Sequence, residues 1–184
     1  MARLPSRRKC AQLLAKYNYP HPDYADSKHH ILVNKLAVWI AESMREKGAR
    51  VNVELVDRAS LLHDIDQSLP KKHHTEHGKL GARIMREEGY PEIARIIEVH
   101  NLDSVLDAKT SPETLEEKIV YYADKRVIQE IIDIDTRFNN WVERHAKTPE
   151  DREKILKPKT HLKAIEKELF SVIGKKPDQI PEFN

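Results

Sequence analysis

The chain has 184 residues, 39% of them apolar and 34% charged, with five glycines and a formal net charge of +2. That length supports one buried core and argues against two independent domains, while the charged, glycine-poor composition excludes a turn-rich all-β fold. The balanced charge gives no strong field for nucleic acid or a membrane surface, the single Cys10 leaves no internal disulfide, and no apolar run approaches the roughly 20 residues of a membrane span or follows a signal-peptide pattern, so a soluble, cytoplasmic protein is expected.

Ser6 to Tyr17 places Cys10, Leu13, Leu14 and Tyr17 at helical spacing, and Pro20 with Pro22 ends that first helix. From His29 to Lys47, Val33, Leu36, Ala37, Ile40, Ala41 and Met44 keep to one face of a helix that Gly48 stops. Asn52 reads as the N-cap of a third helix, with Leu55, Val56, Ala59 and Leu62 on one side, running into His63 and Asp64 before Pro70. A polar loop over 67–75 follows. His77 to Glu88 predicts a helix with Leu80, Gly81, Ile84 and Met85 on one face, closed by Gly89, and Pro91 opens a short one carrying Ile93, Ile96 and Ile97. After a loop over 101–111, Pro112 begins a long helix with Leu115, Ile119, Val120, Ala123, Val127 and Ile131. Residues 135–174 predict two or three more helices around Trp141, Ile155 and the run Leu162, Ile165, Leu169, Val172 and Ile173, high in charge and sparse in chemistry. The last ten residues hold too little apolar content for a fold and are expected as a loosely attached tail.

Ten histidines ask where they sit relative to these faces. An ionisable group on a buried stripe is costly unless it is paired or ligates a metal. His77 precedes Leu80 by three and Ile84 by seven, and His100 follows Ile97 by three and Ile93 by seven, so both lie on apolar stripes. His63 follows Ala59 by four, with Asp64 at the edge of the same face, and Asp124 follows Val120 by four. On the second helix His29 and His30 straddle the stripe, and spacing leaves the two nearly tied. One core histidine is ordinarily satisfied by a hydrogen bond. Imidazoles and carboxylates from five separate helices are instead what a metal site in a helical bundle requires. Four groups could hold one ion, whereas the six residues His29, His63, Asp64, His77, His100 and Asp124 are enough for two, with positions left for water and substrate. Nitrogen and oxygen donors without thiolate suit iron, manganese, cobalt, nickel or zinc.

The segments HHILVNKLAVWIA, ASLLHDID, HGKLGARIM, IIEVHN and PETLEEKIVYYADK resemble, in order and spacing, the blocks of the HD-domain metal-dependent phosphohydrolase superfamily, in the branch named for its HDIG motif. The resemblance spans about residues 10–128 and implies an all-α HD-domain helical bundle with additional C-terminal helices. It divides the chain into an HD-domain core over 1–132, accessory helices over 133–174 packed on the same domain, and a tail over 175–184. In that pattern the first histidine stands four before the valine, which selects His29. His63 and Asp64 are then the eponymous pair, Asp124 the distal carboxylate of the first ion, and His77 and His100 the extra ligands of two-metal members. The motif departs from the family at HDID, where Asp66 replaces the usual glycine and Gln67 a frequent basic residue. Asp66 reads either as an acid or base behind the ligands or as a solvated carboxylate at a helix end. His73 and His74 read as loop residues.

No GxSxG, GxxxxGK or GxGxxG motif is present, and Cys10 lies outside the histidine constellation, so covalent and glycine-loop chemistry are both disfavoured. The expected function is cleavage of a phosphate ester or anhydride of a nucleotide-like small molecule by a metal-activated water, as a phosphomonoesterase, phosphodiesterase or dinucleoside-polyphosphate hydrolase. Asp64 and Asp66 are the candidate catalytic carboxylates, and Lys71, Lys72 and Lys125, the nearest basic residues, are the candidate phosphate partners. Within the superfamily, a branch similar in the HGKLGA and YADK segments cleaves diadenosine tetraphosphate, and others remove 5′-phosphates or open cyclic phosphodiesters. The alternative is a non-enzymatic HD module that senses a nucleotide or regulates a partner. A nucleic-acid binder, suggested by Arg3, Arg7, Arg8 and Lys9, is the weakest reading given the neutral balance of charge.

Overall fold

The computed structural model describes residues 3–17, 28–67 and 77–183, so Pro20, Pro22, Pro70, Lys71, Lys72, His73 and His74 lie outside the described residues. Within them the chain folds as α1 (Arg7–Tyr17), α2 (Lys28–Glu46), α3 (Val53–Leu62), α4 (Lys79–Glu87), α5 (Pro91–Glu98), α6 (Leu115–Arg126), α7 (Ile134–His145), α8 (Pro149–Leu156) and α9 (Lys159–Ile173), with 3₁₀ turns at Leu102–Leu106 and Pro177–Gln179. The all-α class expected from composition and periodicity is the class observed. Among the described residues no helix is long and apolar enough to cross a membrane.

Helix starts follow side-chain capping, which satisfies amide groups that the first turn leaves open. Asn52 accepts from the Leu55 amide at 3.0 Å, Thr114 from Glu117 at 3.2 Å and Asp133 from Thr136 at 2.8 Å. Thr148 and Asp151 form a reciprocal capping box at the start of α8. Helix α2 is the central element, burying Val33, Leu36, Ala37, Ile40, Ala41 and Met44 completely and packing against α3, α6 and α9. Polar ties fix the helices that flank it. Asp57 on α3 accepts from Arg7 Nε on α1 at 2.9 Å and from Asn34 Nδ2 on α2 at 3.0 Å. Glu166 on α9 accepts from Tyr122 at 2.7 Å and Arg126 at 2.8 Å, both on α6.

Four expectations need correction. The long sixth helix ends at Arg126 rather than continuing to Ile131, because Val127 turns extended (φ −118°, ψ 134°) and forms an antiparallel bridge with Ile131. Arg126 bonds the Ile132 carbonyl through its side chain, and its own carbonyl accepts from the Ile132 amide at 2.8 Å, closing this reversal. Pro112 does not open α6, whose cap is Thr114. His77 stands ahead of α4, not within it, and Gly78 between them has φ +80°; a Cβ there would come within 2.7 Å of the Asn101 amide nitrogen. The C-terminal residues expected as a loose tail pack Ile180 and Phe183 against the core.

Candidate metal centre

Helix ends bring the ionisable residues together. His29 sits in the first turn of α2, His63 and Asp64 directly follow α3, His77 precedes α4, His100 follows α5, and Asp124 lies in the last turn of α6. The contacts between α2, α3, α5 and α6 gather these ends at one place. His29 Nε2 stands 3.3 Å from Asp124 Oδ1, and His63 Nε2 is 3.6 Å from the same oxygen and 3.5 Å from Asp64 Oδ2. The other oxygen of Asp64, Oδ1, is 3.2 Å from His77 Nε2 and 3.3 Å from His100 Nε2, with these two nitrogens 3.2 Å apart. Among the described residues, two groups able to hold a metal result: His29, His63 and Asp64, and Asp64, His77 and His100. They share one carboxylate.

The donor atoms fit divalent cations. Ligands bound at about 2.1 Å lie about 3.0–3.4 Å from one another in octahedral to tetrahedral arrangements, close to the separations seen here. His63 Nε2 is fully buried and has no hydrogen-bond partner among the described residues, an arrangement that is costly for an imidazole unless an ion takes its lone pair. Its Nδ1 donates to the Ser60 carbonyl at 2.8 Å, and His100 Nδ1 donates to the Ile97 carbonyl at 2.6 Å, so whenever either ring is neutral, as metal binding requires, Nε2 is the acceptor facing the cluster. His77 is held differently, with Nδ1 2.8 Å from Asp66 Oδ1. A carboxylate behind a ligating imidazole is a recurrent support of metal sites.

Asp66 is thus not the solvated carboxylate of the simpler sequence reading. Its side chain is 1% exposed, and its Oδ2 accepts from the Gly78 and Gly81 amides at 2.9 Å each. It faces His77 and the start of α4, and it does not line the pocket.

Charge inside the cluster is strongly coupled. Burial opposes the charged form of His63, but Asp64 and Asp124 outweigh it and lift the imidazole to about 9; His77 is likewise raised against burial to about 10 by Asp64 and Asp66. Asp64 and Asp124 are held well below the carboxylate range despite burial, Asp64 by His63 and by bonds from His100 and His77, Asp124 by Lys125, His29 and His63. Protons here occupy positions for which a cation would compete. His100 is pushed down by burial, with Lys125 adding to the effect. His30 is buried with its ring centroid 5.1 Å from that of His63, and burial lowers it to about 3. Of the two neighbouring histidines, His29 is the one whose ring nitrogen groups with His63 and Asp64 as a candidate ligand.

His29, Asp64, His77, His100 and Asp124 line a cavity of about 470 Å³. Lys125 is at its wall, but the ammonium is already engaged, donating to the His100 carbonyl and to Asp124 Oδ2 at 2.5 Å and standing 4.8 Å from the Tyr121 ring centroid. Arg137 and Trp141 of α7 also reach this cavity, from a segment whose sequence had shown little chemistry. Their spacing of four residues on one helix face was the available signal. A larger cleft, about 550 Å³, lies between the start of α2 and the C-terminal residues and contains none of the clustered ligands.

Residues 27–127, more than half of the chain, match the family model described as HD domain. The chain belongs to this family. The chain is 35% identical over 111 aligned residues to the uncharacterized protein MJ0778 of Methanocaldococcus jannaschii, covering 54% of this chain and 64% of that protein. It is 25% identical over 189 aligned residues to the tRNA (cytidine(56)-2′-O)-methyltransferase of Picrophilus torridus, covering 96% of this chain and 50% of the methyltransferase. The HD-domain chain thus spans less than two thirds of either relative's length. No solved structure matches it.

Proposed function

We propose that this HD-domain chain is a divalent-metal-dependent phosphohydrolase that cleaves a phosphate ester or anhydride of a nucleotide or a similar small molecule. The observation that carries this reading is Asp64, whose two oxygens each face a separate histidine group. His29, His63, Asp64 and Asp124 would hold one ion, and Asp64, His77 and His100 a second, from among iron, manganese, cobalt, nickel or zinc. Such cations, when bound, acidify water toward neutrality and offer positive charge to phosphoryl oxygens.

The protein's own residues set the geometry for that chemistry. Asp64 divides its oxygens between the two sides, and Asp66 orients the His77 ring from behind as a positioning residue. Lys125 holds Asp124 ionised and in place. Lys71 and Lys72 are assigned to the phosphate on their proximity in sequence to His77. A cysteine nucleophile has no support, because Cys10 is buried in the core and burial raises its thiol to about 11. The nucleotide class draws on the resemblance of the HGKLGA and YADK segments. A second reading, a module that regulates a partner, draws on the similarity of nearly the whole chain to half of a tRNA methyltransferase.

Turnover of a phosphate-substrate panel by protein loaded with each metal separates the two. Activity that disappears with a chelator, returns with metal, and is absent in Asp64→Ala supports the hydrolase. Saturable nucleotide binding without turnover under any metal supports the regulatory module. A single turnover in oxygen-18 water should place the label in the product phosphate, and label-free product would refute direct attack by water.

A further inference from the structure

Among the described residues, the pocket contains one guanidinium whose Nε has no hydrogen-bond acceptor. Arg137 reaches into it from α7, its Nε is closed off from solvent, and that nitrogen has no hydrogen-bond partner among the described residues. The lysine in the wall, Lys125, already donates to two oxygens, and His77 faces Asp64 and Asp66. A buried guanidinium donor without an acceptor is costly, and burial pushes the Arg137 pKa down, opposed by the negative charge of Asp124. The side chain is nevertheless held in place. Its guanidinium carbon lies 4.4 Å from the Trp141 ring centroid, and Trp141 is packed edge-on against fully buried Phe138 at 5.0 Å between centroids.

We propose that Arg137, braced by Trp141, is the anion-binding residue of this pocket and receives a phosphoryl group of the ligand. Stacking on an aromatic face fixes the guanidinium plane, and the planar fork then presents parallel N–H donors matched to two oxygens of one tetrahedral anion. The anion faces the carboxylates Asp64 and Asp124 across the same cavity, so it needs a compensating cation that is not consumed by an internal salt bridge. Arg137 supplies it. The assignment to a phosphoryl group rests on the hydrolase reading, but the anion site itself can be tested without turnover.

The chain has two tryptophans, so Trp39→Phe leaves Trp141 as the only indole reporter. Inorganic phosphate and a nucleoside monophosphate are titrated separately into the metal-loaded full chain, followed by calorimetry and by Trp141 emission. Both ligands should bind saturably, compete with each other and alter the emission. Arg137→Gln should weaken phosphate binding at least tenfold with metal content unchanged, and Arg137→Lys, which keeps the charge but loses the fork, should fall between the two. If Arg137→Gln folds poorly by circular dichroism, the lysine variant decides: affinity equal to that of the native residue overturns the proposal. A silent Trp141, or wild-type phosphate affinity in Arg137→Gln, also overturns it. Arg137-dependent phosphate binding without hydrolysis of any panel substrate would refute the hydrolase reading while leaving the anion site standing. Hydrolysis with unchanged KM and kcat in Arg137→Gln would do the reverse.

Discussion

Replacing Asp66 by asparagine isolates the support behind His77. In the native arrangement Oδ2 accepts from the Gly78 and Gly81 amides, and Oδ1 faces His77 Nδ1 at 2.8 Å. An asparagine can satisfy the two amides only with its own oxygen in the Oδ2 position, which turns its amide nitrogen toward the imidazole. That nitrogen donates, so the neutral ring must carry its proton on Nε2, the atom 3.2 Å from Asp64 Oδ1. His77 then has no lone pair to offer the cluster. Exchanging two charge-assisted bonds for neutral ones should lower the stability of the metal-free protein by about 1–2 kcal/mol. Loss of the supporting carboxylate should weaken the ion held by His77 and His100 by about 10–100-fold. The Asp66→Ala variant instead strands two buried amides and should cost about 2–6 kcal/mol. Competition with a graded chelator measures metal affinity, and urea unfolding of metal-free protein measures stability. One tight and one weakened equivalent are expected in Asp66→Asn. Unchanged affinity for both ions, or an Asp66→Ala protein as stable as the native one, would refute this role for Asp66.

His29→Ala should lose metal with little change in metal-free stability, whereas His30→Ala should keep its metal and lose about 2–4 kcal/mol, because it empties a core position; elemental analysis beside urea unfolding distinguishes them. Glu88 is pulled down to about 2 by Lys16 at 2.7 Å, then Lys9 at 3.1 Å and Tyr17 at 3.0 Å, tying α1 to the end of α4. Its folded pKa lies below its unfolded one, so this contribution is full above about pH 4.5 and is lost as pH falls toward 2. Both lysines are well exposed and the pairs are screened, which reduces the effect to about 1 kcal/mol. Glu88→Gln should therefore be about 1 kcal/mol less stable at pH 7 and converge with the native protein near pH 2, a convergence visible in unfolding curves across that range.

Much of this fold is legible in sequence because each helix buries one face, as Val33, Leu36, Ala37, Ile40, Ala41 and Met44 do along α2. Local chemistry also marks several starts, with Asn52 the clearest. The end of α6 was hidden because Val127 and Ile131 fit a helical stripe as well as the extended reversal they adopt; the deciding contact, Arg126 to Ile132, is made only once the turn has formed. The clustering of six ionisable groups follows from their placement at helix ends, which spacing does reveal. What spacing cannot show is that Asp64 splits its oxygens, or that Asp66 bonds amides twelve and fifteen positions ahead. Arg137 was missed for the same reason, since its pocket exists only through the packing of α7 against α6.

Anomalous diffraction from crystals grown with manganese or zinc tests the central claim most directly. Two peaks are predicted, one on the Oδ1 side of Asp64 beside His77 and His100, the other on the Oδ2 side among His29, His63 and Asp124. A single peak, or peaks away from Asp64, would contradict a carboxylate shared between two ions.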